Sequence, residues 1–222
     1  MALFAGLSAP RRAWLVRRTN RVQVPRRRAL WTAGEPAELI YLVRSGVVGV
    51  HLDLDGDRRR TLAFRGRGAV VGEQEALEGL GGPTVRRTTA VAHDELAAFG
   101  VPIAALVDLI DGTPRLALAL AQLVAHRAGA IALRFAAQPH RTAKARLCTA
   151  LLHLATEFGV RDSRGTIVNL RLTHREFADL VGTTRETVSQ ALSQLRASGL
   201  IQSEGKRVVL LDLPALEALA QS

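Results

Sequence analysis

Cysteine is nearly absent from this sequence, with Cys148 the one thiol among 222 residues. A single cysteine excludes an internal disulfide, a zinc site built from several cysteines, and an iron–sulfur cluster held by four thiolates of this chain. Cys148 lies in the apolar helical pattern ARLCTALLHL, where cysteine usually packs as a small hydrophobic residue. We therefore expect it in the core and not as a redox sensor.

Long uninterrupted apolar runs are also missing. No stretch reaches the roughly 18 residues that a membrane-spanning helix needs. The N-terminal MALFAGLSAPRRAW lacks the basic-then-apolar order of a secretory signal. We therefore expect a cytoplasmic protein that makes no membrane contact. Hydrophobic residues make up 48% of the chain, enough for the core of one large domain or two small ones.

Lysine is scarce: Lys144 and Lys206 are the two lysines, and the other 28 of the 30 basic residues are arginines. The net charge of +10 permits nucleic-acid binding without proving it. Most of the excess lies before Pro139, where there are 19 basic and 12 acidic residues, against 11 and 8 from there onward. The arginine-rich residues 1–30 predict a short helix leading into a strand. Their charges either form a solvated face or provide a second nucleic-acid surface.

Residues 31–100 have the pattern of an antiparallel β structure. Apolar residues alternate through LIYLVRSGVVGVHLDLDGDRRRTLAF, and Asp55-Gly56-Asp57 is a hairpin signal. Further glycines separate short strands at intervals of roughly 8–12 residues, as in sandwiches and barrels. Such a fold has room for a small-molecule pocket.

A long helix follows, with Thr113 as the expected N-cap and Pro114 at the first helical position. It has no breaker before Pro139, which gives a rod of roughly 37 Å. Its apolar residues cover much of the circumference, so we expect it to pack on the β domain and on a second copy in a parallel dimer. The alternative is a buried helix in a monomer. The expected stripes contain Leu116, Leu120, Leu123, Ala130 and Ala137, and beside them Val124 and Ile131.

Two short helices in the last third form the clearest motif. Thr173 and Glu176 have the spacing of a capping box, and Gly182 ends the first helix. The second helix begins at Thr183, again with a glutamate three residues later, or at the rival cap Thr184. Steeply crossed helices joined by so short a glycine turn have helix-turn-helix geometry.

The second helix is amphipathic, and its polar first turns suit base recognition in a major groove. Arg185 can donate two hydrogen bonds to guanine O6 and N7, and Glu186 can accept one from cytosine N4. Ser189 and Gln190 complete the expected groove-facing set. The opposite, apolar face consists of Val188, Ala191, Leu192 and Leu195.

A hairpin after this helix predicts a wing with Lys206 at its tip. Lys206 suits a phosphate contact, as do Thr173, His174 and Thr184 at the starts of the two helices.

The segment LTHREFADLVGTTRETVSQALSQLRASGLIQSEGKRVVL closely resembles the winged helix-turn-helix of the cyclic-AMP receptor protein and fumarate/nitrate-reductase regulator family. AGEPAELIYLVRSGVVGV and VVGEQEAL extend the likeness to the first half. The resemblance implies an α+β fold with a β-roll over 1–112, a dimerisation helix over 113–138 and a winged helix-turn-helix over 139–222. It also implies a bacterial homodimer that binds a palindromic DNA site, with RNA polymerase as a further partner, and not an enzyme.

Within that resemblance, the Arg and Glu of RETV read a half-site core that contains G·C pairs, a role we assign to Arg185 and Glu186. Many members have an arginine where this sequence has Gln190. We therefore expect a different base at the outer position of the half-site.

The effector site departs further from the family pattern. Gly72-Glu73 is kept, but Glu75 replaces the second glycine of the turn. The family's phosphate-binding Arg-Ser pair aligns with Thr84-Val85, with Arg86 and Arg87 nearby, and the hydroxyl pair that meets the adenine aligns with Ile131-Ala132. We therefore expect that ordinary cyclic AMP is not the effector, which stays unidentified.

Other chemistries find little support in the sequence. Haem could be held by His51, His93, His126 or His174, but a lone histidine is more often structural, and we expect no haem, metal or other cofactor. Glu73 and Glu75 are paired carboxylates of the β region but match a family turn, so we expect no catalytic site. A sensor of cyclic nucleotides or other metabolites that acts through protein contacts is the alternative function.

Overall fold

The computed structural model describes residues 3–4, 6–55, 58–79, 82–136 and 142–221. Its helices are α1 Ala9–Val16, α2 Glu73–Glu78, α3 Ile103–Asp111, α4 Pro114–Ala136, α5 Ala143–Phe158, α6 His174–Val181, α7 Arg185–Ala197 and α8 Leu213–Gln221. Its strands are β1 Asn20–Val24, β2 Ala29–Trp31, β3 Leu39–Ser45, β4 Val48–Asp53, β5 Arg59–Arg65, β6 Val70–Val71, β7 Thr89–Ala92, β8 Leu96–Pro102, β9 Gly159–Arg161, β10 Thr166–Val168, β11 Ile201–Glu204 and β12 Arg207–Leu210. The predicted α+β class is confirmed.

The chain divides into two compact units, Met1–Arg58 with Leu62–Ala132, and Arg59–Thr61 with Leu133–Ser222. The first contains two four-stranded sheets, ordered β1-β8-β3-β6 and β2-β7-β4-β5. Alternation along β3 sends Tyr41 and Val43 into the core between the sheets, and Ile40 and Leu42 to the opposite face. The antiparallel β structure expected from the alternation is therefore confirmed. Gly56 and Asp57 of the expected hairpin lie outside the described residues.

Helices cover the second face of the sheet β1-β8-β3-β6. Ile40, Leu42 and Val101 of the sheet pack with side chains of α1, α3 and α4, among them Leu15 and Leu106. The expected helix before the first strand is α1. The sequence patterns did not reveal α2 and α3, because α3 follows β8 with no polar break and α2 carries two glutamates that are buried against basic partners.

The long helix α4 begins at Pro114 as expected and continues through Ala136, while Ala137 and Pro139 lie outside the described residues. Leu116 and Leu120 are buried and Leu123 is half-buried, all three against the sheet of their own chain. A different stripe is left on the surface. It includes Leu118, which is 60% exposed, and exposed alanines.

The second unit combines α5 to α8 with the sheet β11-β12-β10-β9. Its helix α5 begins at the N-cap Thr142, whose Oγ1 accepts a hydrogen bond from the Ala145 backbone N–H. The helix ends before Gly159 as expected, but Gly159 is extended and starts β9 instead of forming a left-handed cap. Cys148 is fully buried as expected, and burial raises its pKa to about 11.

Candidate nucleic-acid interface

The helix α6 begins with the predicted capping box. The Thr173 hydroxyl accepts a hydrogen bond from the Glu176 backbone N–H at 3.2 Å, and the Glu176 carboxylate accepts one from the Thr173 backbone N–H at 2.7 Å. At its other end Gly182 has a φ of 74°, a left-handed conformation that costs glycine little. Local chemistry thus ends α6 sharply and allows the chain to turn into α7.

The start of α7 settles which threonine caps it. Thr184, not Thr183, is the N-cap, and its hydroxyl accepts a hydrogen bond from the Thr187 backbone N–H at 3.2 Å. The expected second capping box, with Glu186 reaching back to Thr183, is therefore wrong. As a consequence, the Glu186 carboxylate is not used for capping, and its side chain is exposed.

The two faces of α7 differ as the projection predicted. Val188 and Leu195 are buried, while Arg185, Glu186 and Gln190 are exposed. Within the part of the chain that the structure describes, none of these three exposed side chains has a hydrogen-bond or ion-pair partner. A row of unpaired polar groups on a rigid helix is suited to contact an external polar surface.

Ser189 is held inside the motif. Its hydroxyl donates a hydrogen bond to the Arg185 carbonyl oxygen at 2.9 Å, and it lies 2.7 Å from Nδ1 of His174. Since the hydroxyl proton is committed to the carbonyl, Nδ1 of His174 must donate to Ser189. The serine expected to face outward therefore links the start of α6 to the first turns of α7.

The predicted wing is the hairpin of β11 and β12. Gly205 has a φ of 61° at its turn, and Lys206 is exposed beside it. The Leu172 backbone N–H donates to the Lys206 carbonyl oxygen at 3.2 Å, which places the wing tip next to the segment that leads into α6. Arg196 at the end of α7 donates to the Ser203 hydroxyl at 3.1 Å. Lys206, Thr173 and the start of α6 are thus near one another.

In the first unit, the turn expected to bind an effector is occupied by two internal ion pairs. Arg127 of α4 donates to the Glu73 carboxylate at 2.5 Å and to the Val70 carbonyl oxygen at 2.8 Å. Arg86 is 2% exposed, donates to the Gly72 carbonyl oxygen at 2.7 Å and lies 3.7 Å from the Glu75 carboxylate. The remaining cavity has a volume of only about 80 Å³, whereas ligand pockets usually have about 300–1,000 Å³.

The expected effector residues are only partly brought together. Gly72, Glu73 and Ile131 line the small cavity. Thr84 and Val85 do not line it, and Val85 is 52% exposed. Arg87 is exposed and pairs with Glu78 at 2.6 Å, and Ala132 is exposed.

Of the residues that occupy the turn, Glu73, Glu75 and Arg86 were singled out in the sequence, whereas Arg127 was missed. Arg127 interrupts an apolar stripe of α4, and that interruption was the available signal. The Arg86 guanidinium also lies 4.6 Å from the centre of the Trp31 ring, a stacking contact that sequence spacing does not reveal.

Two family models match this chain. Residues 21–113 match the cyclic nucleotide-binding domain, and residues 145–219 match the Crp-like helix-turn-helix domain. The global nitrogen regulator of Synechococcus elongatus is 30% identical over 87% of this chain and 86% of its own length. The chain belongs to the Crp-like family of DNA-binding transcription regulators. The resemblance recognised in the sequence is therefore confirmed.

Relatives of this Crp-like regulator differ in their effectors. A CRP-like cAMP-activated global transcriptional regulator of Mycobacterium tuberculosis is 28% identical over 99% of this chain and 96% of its own length. The solved structure of the c-di-GMP responsive global regulator CLP of Xanthomonas campestris is 25% identical. It covers 92% of this chain and 100% of its own, with a TM-score of 0.76.

The histidines considered for haem lie in ordinary surroundings. His51 and His93 are buried, and each packs edge-on against Phe64, with ring centres 6.4 and 5.5 Å from it. His126 is exposed and His174 contacts Ser189. Over the described residues, no group of three or more His, Cys, Asp or Glu could hold a metal ion, and no helix is long and apolar enough to cross a membrane.

Proposed function

We propose that this Crp-like regulator acts as a homodimer that reads a twofold-symmetric DNA site, with α7 of each protomer in the major groove of one half-site. The observation that carries this proposal is the exposed row of Arg185, Glu186 and Gln190 on the first turns of α7. We also propose the division into a β-roll over 1–112, a dimerisation helix over 113–138 and a DNA-binding domain over 139–222.

The chemistry of the three side chains assigns their targets. Arg185 suits guanine, through two hydrogen bonds to O6 and N7, and Glu186 suits the N4 amino group of cytosine. A carboxylate near phosphates is unfavourable unless it binds a donor on a base edge, so Glu186 favours sequence reading over general attraction. Gln190 suits adenine, since an amide can pair with N6 and N7.

The contacts proposed for phosphates surround this helix. Thr173, His174 and Thr184 lie at helix starts, where backbone N–H groups attract anions. Lys206 at the wing tip adds a positive charge without base preference.

A titration of duplex DNA tests the sequence reading. Sites are first selected from a random pool with the wild-type protein, and a scrambled duplex serves as the non-specific competitor. Arg185→Ala is expected to reduce the binding free energy by roughly 1–3 kcal/mol on the selected site and by little on the scrambled duplex. Gln190→Ala is expected to weaken binding to the selected site by loss of the proposed adenine contact, and Gln194→Ala, on an exposed position further along α7, is its matched control. Equal losses on both duplexes for the Arg185→Ala, Glu186→Ala double variant would contradict the proposal.

The proposed dimer seam is the exposed stripe of α4. Its members are three and four residues apart, the repeat of a coiled coil, and they are Leu118, Ala121, Ala125, Ala128 and Ala132. Leu118→Glu is expected to give monomers in sedimentation, because it puts a charge into each side of a symmetric seam. His126→Glu adds a charge on an exposed position away from the stripe and is expected to leave the dimer intact.

We further propose that ordinary cyclic AMP does not control the protein. The support is the small cavity beside Gly72 together with the Glu73–Arg127 pair that occupies its edge. Cyclic AMP is expected to leave both the DNA affinity and the melting temperature unchanged. A rise in melting temperature that saturates with cyclic AMP would overturn this proposal. The separate proposal that α7 recognises bases would not be affected.

A further inference from the structure

A second and much larger cavity lies in the first unit. It has a volume of about 520 Å³, within the range of about 300–1,000 Å³ that is usual for small-molecule sites. Among the residues that the structure describes, it shares none of its lining with the cavity beside Gly72. It is bounded by α1 and by the outer face of the sheet β1-β8-β3-β6.

The walls of this cavity are mostly apolar. From the sheet come Leu42, Phe99 and Val101, and from the helix side come Leu15 and Val16. Val16 is 63% exposed, so a large hydrophobic side chain borders the opening. Phe4 contributes a further apolar surface to the lining.

Among the described sheet residues that line the cavity, Arg21 is the charged one. The strand register places Arg21 opposite Phe99, and Phe99 opposite Leu42. Directly opposite residues of antiparallel strands project to the same face, so the arginine stands in one row with two apolar residues of the cavity wall. Within the described residues the Arg21 guanidinium has no hydrogen-bond or ion-pair partner.

A second guanidinium comes from the helix. Arg12, Leu15 and Val16 of α1 line the cavity at the spacing that puts residues on one side of a helix, and Thr19 follows them just beyond the end of α1. Arg12 donates one hydrogen bond, to the Leu7 carbonyl oxygen at 3.2 Å, and its other donors have no partner among the described residues. None of the described residues that line the cavity carries a carboxylate, and residues 1–34 contain eight arginines and no acidic residue.

We propose that this cavity binds a fatty-acid carboxylate. The apolar walls would receive the aliphatic tail, and Arg12 and Arg21 would bind the carboxylate, which matches the planar fork of a guanidinium. A neutral lipid would leave the unpaired arginine without a partner, and a small dianion would leave the apolar walls empty. This site is separate from the proposed DNA contacts and does not rest on them.

Calorimetric titration of the full-length protein with octanoate, decanoate and dodecanoate, below their micelle concentrations, tests the proposal. Affinity is expected to rise about tenfold or somewhat more for each two added methylene groups, because each buried methylene contributes about 0.8 kcal/mol. Decanol is expected to bind about tenfold or more weakly than decanoate, since it lacks the charge-assisted hydrogen bonds.

Two variants assign the binding to this cavity. Arg21→Gln is expected to weaken decanoate toward the level of decanol, with Arg12 still in place, and to leave decanol unchanged. Arg17→Gln, at an exposed arginine of the same helix region that does not line the cavity, is expected to change neither. Val16→Trp, at an exposed position, is expected to fill the opening and weaken both ligands. Circular dichroism and melting temperature establish that each variant is folded.

Several outcomes would overturn the proposal. They are the absence of saturable decanoate binding to the wild type, equal affinity for acid and alcohol, or an equal loss in Arg17→Gln and Arg21→Gln. Co-sedimentation with phosphatidylglycerol vesicles without binding of free decanoate would assign the arginines to a membrane surface instead. DNA titrations of Arg21→Gln are expected to match the wild type, so the two proposals can fail separately.

Discussion

Arg86 is the residue for which the structure gives the sharpest stability prediction. Its guanidinium is buried, donates to the carbonyl oxygens of Gly72 and Leu39, lies 3.7 Å from the Glu75 carboxylate and stacks near the Trp31 ring. Burial lowers the pKa of Arg86, and the nearby Glu75 opposes that shift. The arginine nevertheless stays charged, because a guanidinium does not lose its proton in proteins.

Arg86→Leu would remove one partner of this buried pair. Glu75 would keep only the Arg87 backbone N–H at 3.2 Å and the Thr88 hydroxyl at 3.5 Å. An uncompensated buried charge of this kind costs about 3–5 kcal/mol. At roughly 3 °C per kcal/mol for a domain of this size, the transition of the first unit should fall by about 9–15 °C.

The assay is calorimetric melting, in which the two compact units are expected to give separable transitions. Arg87→Leu is the matched control, because Arg87 is the next residue and its ion pair with Glu78 is exposed, where such pairs contribute about 0–1 kcal/mol. The double variant Arg86→Leu, Glu75→Leu should regain most of the melting temperature that Arg86→Leu loses, because no unpaired charge is then left buried.

Two results would refute this reasoning. A loss in Arg86→Leu no larger than in Arg87→Leu would mean that the buried network contributes little. A double variant that loses the sum of both single variants would mean that Arg86 and Glu75 are not coupled. In the first case Arg86 would again be a candidate for binding an external anion.

Three further predictions concern the second unit. Cys148 should resist thiol reagents at pH 8 in the folded protein and react once the protein is unfolded. Because burial raises its pKa to about 11, the contribution of the neutral thiol to stability is complete below the ordinary pKa of about 9 and is lost as the pH rises toward 11. Melting curves at alkaline pH would measure this loss. Thr173→Ala should lower the free energy of unfolding by about 1 kcal/mol in urea titrations, because it removes the N-cap of α6, and an unchanged value would contradict the capping role. Ser189→Ala should weaken binding to the selected DNA site about as much as His174→Ala does, with a non-additive double variant, whereas fully additive losses would contradict the link between them.

The helix-turn-helix was largely predictable because the features that define it are local in sequence. The capping box of Thr173 needs a glutamate three residues away, and the left-handed turn needs Gly182. The amphipathic face of α7 follows from a fixed helical period. For the cap of α7 the sequence left two neighbouring candidates, Thr183 and Thr184, and the structure selects Thr184. The two differ only in which residue, three positions later, donates its backbone N–H, so the local pattern does not separate them.

The effector region was harder, because its residues meet through the tertiary fold. Glu73 and Arg127 are 54 positions apart, and nothing in either local pattern indicates that they pair. Alignment by spacing placed the expected anion-binding pair at Thr84-Val85, whereas the side chains that bridge the turn come from Arg86 and Arg127. The sequence did indicate that the family's clamp was altered, but not that internal ion pairs occupy its place.

By itself the sequence determined the order of β structure, long helix and winged helix-turn-helix, and the polar face of α7, because periodicity and capping act over a few residues. Only the tertiary structure decided which stripe of α4 packs on its own sheet and that Ser189 bonds to His174. It also decided that Arg21 stands beside an apolar cavity. Those outcomes depend on which distant surfaces meet. Two stripes of α4 with similar hydrophobicity look alike in the sequence until one of them is buried, and two arginines such as Arg17 and Arg21 look alike until one of them lines a cavity.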